Sequence, residues 1–548
     1  MSASPNAKVL VVIPARGGSK GIPRKNLRAL NGQPLISYSI KCALSSIYKP
    51  DVYVSTDDPE IAAISKKVGA SVVIRDSSKA ADDTTLDPVI YDAYKKAVNE
   101  SGRDYDLVVT LQPTSPLLRS TSLDVAINRI VFNESIETII SAKEDTHLSW
   151  TKKEGRYVPN YKERVNRQYL EPIFKETGGF LISRSDIITE RTRIGRNVDL
   201  HLLNGAESID VDTFEDWSLC EFYLRRKKIL FVVSGYDEIG LGHVYNTLIV
   251  ANDILNHHIE FLVDKKSKLA YDVIAEKNYR VHMQKSSSII DEIRQLAPDV
   301  VINDRLDTDA TYIESIKQSG ATVINFEDLG CGAQFADLVI NAIYPESKIL
   351  PRHYFGHDYF ILRDEFILTT PRETSPVVQS VLLTFGGTDA NNLTYKVIRA
   401  IYEYCKGNDI KISVVAGFGY SAFDTLSEFE NISVFRNSMS IADHMNRADV
   451  AFTSAGRTTY EVASLHVPSI VLAQNEREMS HFFASSEFGF LNLGLGSVVN
   501  EEKILKTFVH LVDSYATRTR MAELMAAADL TSGRKRVMKL INNVMEEI

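Results

Sequence analysis

The chain has 548 residues, which at roughly 150 residues per domain suggests three or four folding units rather than one. Hydrophobic residues make up 44% of it and charged residues 24%, so disordered, collagen-like and coiled-coil classes are excluded. The formal net charge of −9 argues against a protein that coats nucleic acid or an anionic membrane surface.

The apolar runs are short throughout. Residues 9–13 and 229–233 are typical, and each is far shorter than the roughly twenty residues of a membrane helix. The N-terminal residues lack the apolar core and cleavage site of a secretory signal, so we expect a cytoplasmic protein with no membrane partner.

Short β-branched runs alternate with helical patterns along the first part of the chain. They lie at residues 9–13, 52–55, 72–74, 107–111 and 138–141. This alternation predicts βαβ units and a mostly parallel sheet, and therefore an α/β fold. A stretch rich in Lys, Arg, Asn and Tyr at residues 150–177 predicts an inserted arm, after which we expect strands at 178–182 and 208–211.

Two further series of strands follow a basic junction near residue 226. The second series begins at residues 229–233 and ends before the polar stretch 369–376, which has the composition of a linker. A third series begins at residues 381–385. We therefore predict α/β domains at 1–226, 227–370 and 377–548, with a cleft between the last two.

A glycine-rich and basic segment directly follows the first strand. Between residues 13 and 27 stand three glycines and several cations, namely Arg16, Gly17, Gly18, Lys20, Gly21 and Lys25. Glycines permit a turn whose amides point at phosphate oxygens, and the cations supply positive charge. The segment predicts a triphosphate cradle, although neither the Walker pattern nor GxGxxG is present. An ordinary turn with solvated basic residues is the alternative.

This segment, with residues 55–58, 111–119 and 208–212, resembles the sialic acid (acylneuraminate) cytidylyltransferases over roughly residues 8–225. The resemblance implies a Rossmann-like nucleotidyltransferase domain with a mixed sheet. It implies an enzyme that uses CTP to activate a nonulosonic acid (sialic, legionaminic or pseudaminic), giving a CMP-sugar and pyrophosphate. It also implies roles for two sets of residues. Arg16, Ser19, Lys20 and Lys25 would hold the triphosphate beside Gly17 and Gly18, while Asn26, Gln112, Arg75 and Ser115 would contact or support the nucleotide or sugar acid.

The motif Ser208-Ile209-Asp210-Val211-Asp212 resembles the paired-aspartate metal site of the same family. On a strand, residues two apart face the same side, so Asp210 and Asp212 would present two carboxylates together. Such a pair suits Mg²⁺ (or Mn²⁺) in front of a triphosphate, and we expect Asp212 to be essential for catalysis. The alternative is a solvated strand end at which Asp212 caps the helix that begins at Thr213.

The inserted arm carries Arg164 and Arg167. In the resembled family a corresponding arm reaches into the neighbouring subunit and lends basic residues to the sugar carboxylate, which implies a homodimer. A solvated charged loop is the alternative. We interpret Arg191, Arg193 and Arg196 as surface charge.

A second set of motifs lies at residues 234–244, 383–389, 453–461 and 472–476. Together they resemble the UDP-sugar hydrolase of pseudaminic acid biosynthesis and its glycosyltransferase-B relatives, over roughly residues 228–520. The resemblance implies a pair of α/β subdomains that bind UDP or a UDP-sugar, with His243 activating water or assisting departure and Asn475 orienting the sugar. The nucleotide side would be formed by Gly386, Gly387, Thr388, Ser454, Gly456, Thr458, Thr459 and Glu461.

The sequence departs from the hydrolase pattern at three places. Asn246 stands where the family has an arginine, Asn303-Asp304-Arg305 replaces Asp-His-Tyr, and Asn475-Glu476 replaces Asn-Gln. Because the catalytic tyrosine is missing, we expect a retained nucleotide-sugar pocket with weak hydrolysis. A glycosyltransferase and a non-catalytic binding domain remain alternatives for this half.

Overall fold

The computed structural model describes residues 7–18, 21–76, 85–236, 239–346, 350–387, 389–417, 419–436, 438 and 440–547. The chain divides into two compact units, Met1–Arg226 and Lys227–Ile548, which we call the first and second units. Within the described ranges, none of the helices combines the length and apolar character that crossing a lipid bilayer needs.

The first unit is an α/β domain built on one mixed sheet. Its strands are β1 (Val9–Pro14), β2 (Ala29–Leu30), β3 (Gln33–Pro34), β4 (Asp51–Thr56), β5 (Ser71–Ile74), β6 (Leu107–Leu111), β7 (Thr138–Glu144), β8 (Trp150–Lys153), β9 (Arg156–Pro159), β10 (Phe174–Arg184) and β11 (Val198–Leu202). Its helices are α1 (Leu35–Leu44), α2 (Pro59–Val68), α3 (Leu86–Ser101), α4 (Ser120–Phe132) and α5 (Phe214–Leu224).

The main sheet has the order β11-β7-β10-β6-β1-β4-β5. Strand β10 is antiparallel to both β6 and β7, whereas β1 is parallel to β4 and β6. The predicted mixed sheet is therefore confirmed. One face packs on α1 and α4, the other on α3, because the central strands are apolar on both sides.

The predicted arm and the predicted strand at residues 208–211 both lie outside the main sheet. Strands β8 and β9 pair as a separate antiparallel hairpin in the predicted arm, with Trp150 and Tyr157 exposed on it. The strand predicted at residues 208–211 is wrong. Gly205–Ser208 forms a single 3-10 turn, and the following residues run extended outside the sheet, held by Val211 N donating to the Thr114 carbonyl at 2.8 Å.

The second unit contains two sheets in which each neighbouring pair of strands is parallel. The first contains β12 (Lys228–Val233), β13 (His258–Val263), β14 (Val281–Met283), β15 (Val300–Asp304), β16 (Thr322–Phe326), β17 (Leu338–Asn341) and β18 (His353–Phe355), in the order β14-β13-β12-β15-β16-β17-β18. The second contains β19 (Ser380–Thr384), β20 (Lys411–Ala416), β21 (Ile432–Arg436), β22 (Val450–Thr453), β23 (Ser469–Ala473) and β24 (Phe490–Leu495), in the order β21-β20-β19-β22-β23-β24.

Helices cover both sheets. They are α6 (Gly242–Asp253), α7 (Lys268–Glu276), α8 (Ile289–Leu296), α9 (Ala310–Lys317), α10 (Asp364–Leu368), α11 (Leu393–Gly407), α12 (Ile441–Arg447), α13 (Thr458–Ser464), α14 (Glu476–Met479), α15 (Glu501–Asp513), α16 (Tyr515–Ala527) and α17 (Gly533–Glu546). The predicted pair of α/β subdomains is confirmed, since each sheet has its own set of strands. We call the parts built on the two sheets the front half and the rear half.

The domain boundaries predicted within the second unit need a correction, because the last helix does not belong to the rear half. Val537 and Ile541 of α17 are fully buried in the core around the front sheet, and Arg534 pairs with Asp253 of α6 at 2.6 Å. The amphipathic pattern of α17 shows that it buries one face but does not specify the sheet it covers.

A buried aromatic stack joins the two halves. The ring of Tyr460 in α13 lies between those of Phe360 and Phe483, with centroids 4.0 and 4.2 Å away. The Tyr460 hydroxyl donates to the Ala342 carbonyl at 3.0 Å. Because these residues share one hydrophobic core, the halves are fixed against each other at this point.

Candidate functional sites

The predicted cradle of the first unit follows β1 at the carboxyl edge of the parallel strands, where ligands bind in open α/β sheets. Gly17 N donates to Asp57 Oδ1 at 3.0 Å, and a Cβ atom on Gly17 would lie 2.7 Å from Asp58 Oδ2. A glycine is therefore required for this close approach to the loop after β4. Gly18 faces open space, whereas Ser19 and Lys20 lie outside the described residues.

The second part of the cradle is a short 3-10 turn, Lys25–Leu27. Asn26 is buried, and its Nδ2 donates to the Arg16 carbonyl at 3.0 Å, which fixes the start of the loop. Lys25 Nζ donates to the Val211 carbonyl at 2.6 Å and lies 3.3 Å from Asp212 Oδ1. The structure thus brings the basic cradle and the aspartate pair together.

The aspartate pair contains a buried oxygen with no hydrogen bond. Oδ1 of Asp210 has no partner among the described residues, and Oγ of Ser115 is in the same condition. Burial raises the pKa of Asp210, the Thr114 side chain acts in the opposite direction, and the nearby Asp212 carboxylate raises it further. A Cβ atom on Gly178 would lie 2.7 Å from Asp210 Oδ1, so β10 passes directly over this carboxylate.

The alternative reading of Asp212 as a helix cap is wrong. Thr213 is the N-cap of α5, and it forms a capping box with Asp216. The Asp212 side chain is exposed instead, on the side of Lys25. The two carboxylates are near each other although they do not lie on a strand, because the hydrogen bond of Val211 to Thr114 fixes the extended segment.

These oxygens fit a hard divalent cation. In the part of the chain that the structure describes, no group of three His, Cys, Asp or Glu side chains is arranged to hold a metal. Mg²⁺, however, accepts one or two carboxylates and completes its shell with water and substrate phosphates. A pair with one unpaired, buried oxygen has the donor chemistry for such an ion.

The other predicted residues of the first site support its edges. Arg75 is buried after β5, where Nη2 donates to the Ser55 carbonyl at 2.8 Å, and burial lowers its pKa. The carbonyl of Gln112 accepts from Ser39 Oγ at 3.1 Å, which anchors the loop after β6. These contacts hold the loops in place.

The basic residues of the arm and its neighbourhood differ in their surroundings. Arg164 and Arg167 are exposed, and Arg164 Nη1 donates to the Tyr161 hydroxyl at 3.4 Å. The interpretation of Arg193 as surface charge is wrong, because its side chain is only 16% exposed and lies 3.2 Å from Asp87. Sequence spacing alone did not separate Arg193 from its solvated neighbours.

The candidate site of the second unit is centred on His243, in the first turn of α6. Its Nδ1 donates to Oδ1 of Asp304 at 2.5 Å, and Asp304 is fully buried at the end of β15. The carboxylate accepts from Nδ1–H and fixes the ring, so in the neutral imidazole the lone pair lies on Nε2. His243 remains 18% exposed, so this nitrogen can meet a ligand.

Two residues that the sequence analysis missed complete this site. Glu327 follows β16, is 2% exposed and has a left-handed φ of 50°. Burial raises its pKa to about 7, while Arg457 acts in the opposite direction. Arg457 belongs to the rear half, yet it lies 3.8 Å from Glu327. Arg457 stands inside the motif at residues 453–461, but the motif does not show that its side chain reaches Glu327, and no motif contains Glu327.

The nucleotide-side residues follow strands of the rear sheet. Gly386 has a φ of 82°, and a Cβ atom on Gly417 would lie 2.5 Å from Gly387, so two backbone loops meet there. Thr388 lies outside the described residues. Asp389 accepts from the Leu393 and Thr394 amides in the first turn of α11, both at 2.9 Å.

The remaining predicted nucleotide residues surround α13 and α14. Ser454, Thr458 and Thr459 are buried, and a Cβ atom on Gly456 would lie 3.1 Å from Glu478 Oε1. Glu461 pairs with Arg363 of the front half at 2.9 Å. Asn475 is exposed, and its Oδ1 accepts from the Glu478 amide at 3.0 Å as the N-cap of α14.

Comparisons with known proteins find a family and several relatives that each match part of the chain. The family model described as Cytidylyltransferase matches residues 10–187. CMP-N,N'-diacetyllegionaminic acid synthase of Legionella pneumophila is 34% identical over 221 residues, covering 39% of this chain and 95% of that protein. The protein MJ1062 of Methanocaldococcus jannaschii is 29% identical over 273 residues, covering 45% of this chain and 56% of that protein. This chain therefore spans only about half the length of MJ1062.

A further relative covers more of the chain. The spore coat polysaccharide biosynthesis protein SpsG of Bacillus subtilis is 25% identical over 307 residues, covering 53% of this chain and 90% of that protein. Because 53% of the chain exceeds the length of the first unit, Met1–Arg226, part of this similarity lies in the second unit.

Proposed function

Since the chain belongs through its first unit to the cytidylyltransferase family, we propose that this unit transfers CMP from CTP to a nonulosonic acid. The observation that carries the proposal is the carboxylate of Asp210, which has an unpaired oxygen beside the contact of Lys25 with Asp212. A buried carboxylate oxygen is costly without a partner, so this oxygen suits a cationic or hydrogen-bonding ligand.

The proposed reaction forms one bond and breaks another. The anomeric 2-hydroxyl of the sugar acid attacks the α-phosphorus of CTP, and the bond to the β-phosphate oxygen breaks to release pyrophosphate. Arg16, Lys25 and the amide of Gly18 would bind the triphosphate, together with Ser19 and Lys20, which follow Gly18 in the sequence and lie outside the described residues. Asn26 and Arg75 hold this loop and its neighbour in position.

Asp210 and Asp212 would hold the Mg²⁺ (or Mn²⁺) of this site. When bound, the ion supplies positive charge beside the phosphates. Gln112 and Ser115 lie in the loop after β6 and would contact the nucleotide or sugar acid, since Ser115 Oγ is buried without a partner among the described residues.

We further propose that the arm contributes Arg164 and Arg167 to the sugar carboxylate of a neighbouring subunit in a homodimer. The exposed aromatic rings of Trp150, Tyr157 and Tyr169 on the arm support this assignment, because such rings are enriched at protein interfaces. Sedimentation of the full chain and of Tyr157→Ser tests it. We expect a dimer for the former and weaker association for the latter.

Pyrophosphate release tests the first function. The full chain is assayed with CTP and Mg²⁺ together with sialic, legionaminic or pseudaminic acid, one acid at a time. We expect release only when one of these acids is present, and that acid identifies the substrate. Equal rates with UTP or ATP and a hexose 1-phosphate would overturn the assignment.

For the second unit we propose a site for UDP or a UDP-sugar in which His243 acts as the base. The hydrogen bond of His243 to the buried Asp304 supports this role, because the carboxylate orients the ring and leaves Nε2 basic. Gly386, Gly387, Gly456, Thr458 and Thr459 would contact the nucleotide, and so would Thr388, which follows Gly387 in the sequence.

Calorimetry with UDP and a UDP-sugar hydrolysis assay test the second function. We expect the wild type to bind UDP and to hydrolyse a UDP-sugar slowly, with a further loss in His243→Ala. Faster reaction with an acceptor sugar than with water would indicate a glycosyltransferase instead. Absence of UDP binding would leave this unit without the proposed pocket.

A further inference from the structure

Arg457 links the two halves of the second unit at the point where the nucleotide-side loop meets His243. It lies between Gly456 and Thr458 in the rear half, but its guanidinium reaches the front half. Nη2 donates to Oδ1 of Asn246 at 2.8 Å, and Nη1 lies 3.8 Å from Oε1 of Glu327. The side chain is 23% exposed, so it is largely withdrawn from water.

Asn246 connects Arg457 to the hydrogen-bonded pair of His243 and Asp304. It is 2% exposed, and its Nδ2 donates to Oδ2 of Asp304 at 2.6 Å, while Oδ1 of the same carboxylate accepts from His243. Both oxygens of Asp304 are therefore fixed. The amide of Asn246 can satisfy its two neighbours in only one orientation, since its carbonyl must face Arg457 and its NH₂ group must face Asp304.

We propose that Arg457 is a positioning residue for His243, acting through Asn246 and Asp304. The proposal rests on the proposed function of the second unit, in which the loop around Gly456 contacts the nucleotide. The same loop would then bind the nucleotide with its backbone and orient the base with its one long side chain. Without the guanidinium the Asn246 amide can turn over, and Asp304 then loses its second donor.

A double-mutant cycle in the full chain tests the proposed route. We expect Arg457→Ala to reduce the rate constant for UDP-sugar hydrolysis by about 10- to 10²-fold, because misplacement of a base by about 1 Å has that effect. The affinity for UDP should change less than about threefold. In the Asn246→Ala background, Arg457→Ala should have no further effect, since the route is already broken. Arg457→Lys retains one donor and should recover part of the rate.

Arg477 provides a matched control. It also crosses from the rear to the front half, where Nε donates to the Tyr344 hydroxyl at 2.6 Å and Nη2 lies 3.4 Å from Asp307. Within the described residues, these contacts involve neither Asn246 nor Asp304. Whatever the effect of Arg477→Ala, it should add to that of Asn246→Ala instead of disappearing in that background.

The ring nitrogens of His243 give a readout that does not require turnover. In ¹⁵N spectra of the full chain, the His243 signals are identified by their loss in His243→Gln. We expect the Nδ1–H tautomer in the wild type and in Arg477→Ala, and a mixture of tautomers in Arg457→Ala and Asn246→Ala. A folded Arg457→Ala protein with an unchanged tautomer would overturn the positioning role, and so would an unchanged tautomer in Asn246→Ala if Arg457→Ala does not fold. Failure of the wild type to bind UDP would overturn the nucleotide site, while the spectra would still decide the role of Arg457.

Discussion

The candidate sites of the two units are built in opposite ways. In the first unit, Asp210 has a buried oxygen with no partner among the described residues, and the glycine loop beside it faces open space at Gly18. In the second unit, His243, Asp304, Asn246 and Arg457 are bonded to one another across two halves. A site with unsatisfied groups needs its ligand to complete it, whereas a bonded network positions its base in advance.

The largest expected effect concerns the incomplete site. We expect Asp210→Asn to reduce the rate of CTP-dependent pyrophosphate release by about 10²- to 10³-fold, because charge stabilisation at the reacting phosphate would be lost. The rate is measured over a range of Mg²⁺ concentrations. Near-normal activity of the variant at saturating Mg²⁺ would show that the unpaired oxygen has no such function.

Asp216 is the matched control for this prediction. It lies close by in α5 but accepts from the Thr213 amide at 2.9 Å as part of a capping box. Asp216→Asn should therefore reduce the free energy of unfolding of the first unit by about 1 kcal/mol while changing the rate by only a few-fold.

A smaller loss of rate is expected at Gly178, whose missing side chain leaves space for the Asp210 carboxylate. In Gly178→Ala the new Cβ would lie 2.7 Å from Asp210 Oδ1, so the carboxylate must move. Because a shift of about 1 Å at a reacting centre has such an effect, we expect a loss of about 10- to 10²-fold in the same assay. Gly407→Ala, whose Cβ would meet nothing within 4 Å, should react like the wild type. An unaffected Gly178→Ala enzyme would mean that Asp210 is free to move.

Sequence patterns predicted the parts of both sites that are local in the chain. The run at residues 9–13 is a strand, and the glycine loop follows it at the sheet edge, because strand and turn propensities act over a few residues. The aspartate pair was found from a family motif, but the strand assigned to it is wrong. Its geometry depends on a hydrogen bond between Val211 and Thr114, which are distant in sequence.

What could not be predicted depends on contacts between remote segments. Glu327 and Arg457 are separated by many strands and helices, and the motif that contains Arg457 gives no sign of its contact with Glu327. Helix α17 was assigned to the wrong half for the same reason, since an amphipathic pattern does not specify the sheet on which the helix packs. The burial of Arg193 could not be predicted either, because it depends on the position of Asp87, which is remote in the sequence.

The buried carboxyl group of Glu327, beside Arg457, should make the stability of the second unit depend on pH. The pKa of Glu327 is about 7 in the folded state, above its ordinary value of 4.5, so the folded state keeps this proton to higher pH. The free energy of unfolding should therefore fall as pH rises, beginning near pH 4.5 and levelling off above about pH 7. In a measurement between about pH 5.5 and 8.5, Glu327 should contribute about 2 kcal/mol of this fall. Glu327→Gln lacks this group and should lack this part of the fall.

Urea unfolding can separate this effect from the rest of the molecule. Both tryptophans, Trp150 and Trp217, lie in the first unit, so their fluorescence follows that unit, whereas circular dichroism reports on both. The pH-dependent difference between wild type and Glu327→Gln should appear only in the dichroism. A wild type and variant with parallel pH dependences would show that Glu327 is ionised in the folded state at all these pH values.

The smallest expected effect distinguishes a sugar contact from a helix cap at Asn475. Its Oδ1 already accepts from the Glu478 amide, so the NH₂ group is the only donor that this side chain can offer to a ligand. Asn475→Asp keeps the acceptor and the cap but loses that donor. We therefore expect an affinity for a UDP-sugar that is about two- to tenfold weaker, which is the value of one neutral hydrogen bond, and an unchanged affinity for UDP.

Calorimetry with both ligands measures this, and Asn475→Ala, which loses the cap as well, should also lower the melting temperature. Equal weakening for UDP and the UDP-sugar in Asn475→Asp would place this residue on the nucleotide rather than on the sugar.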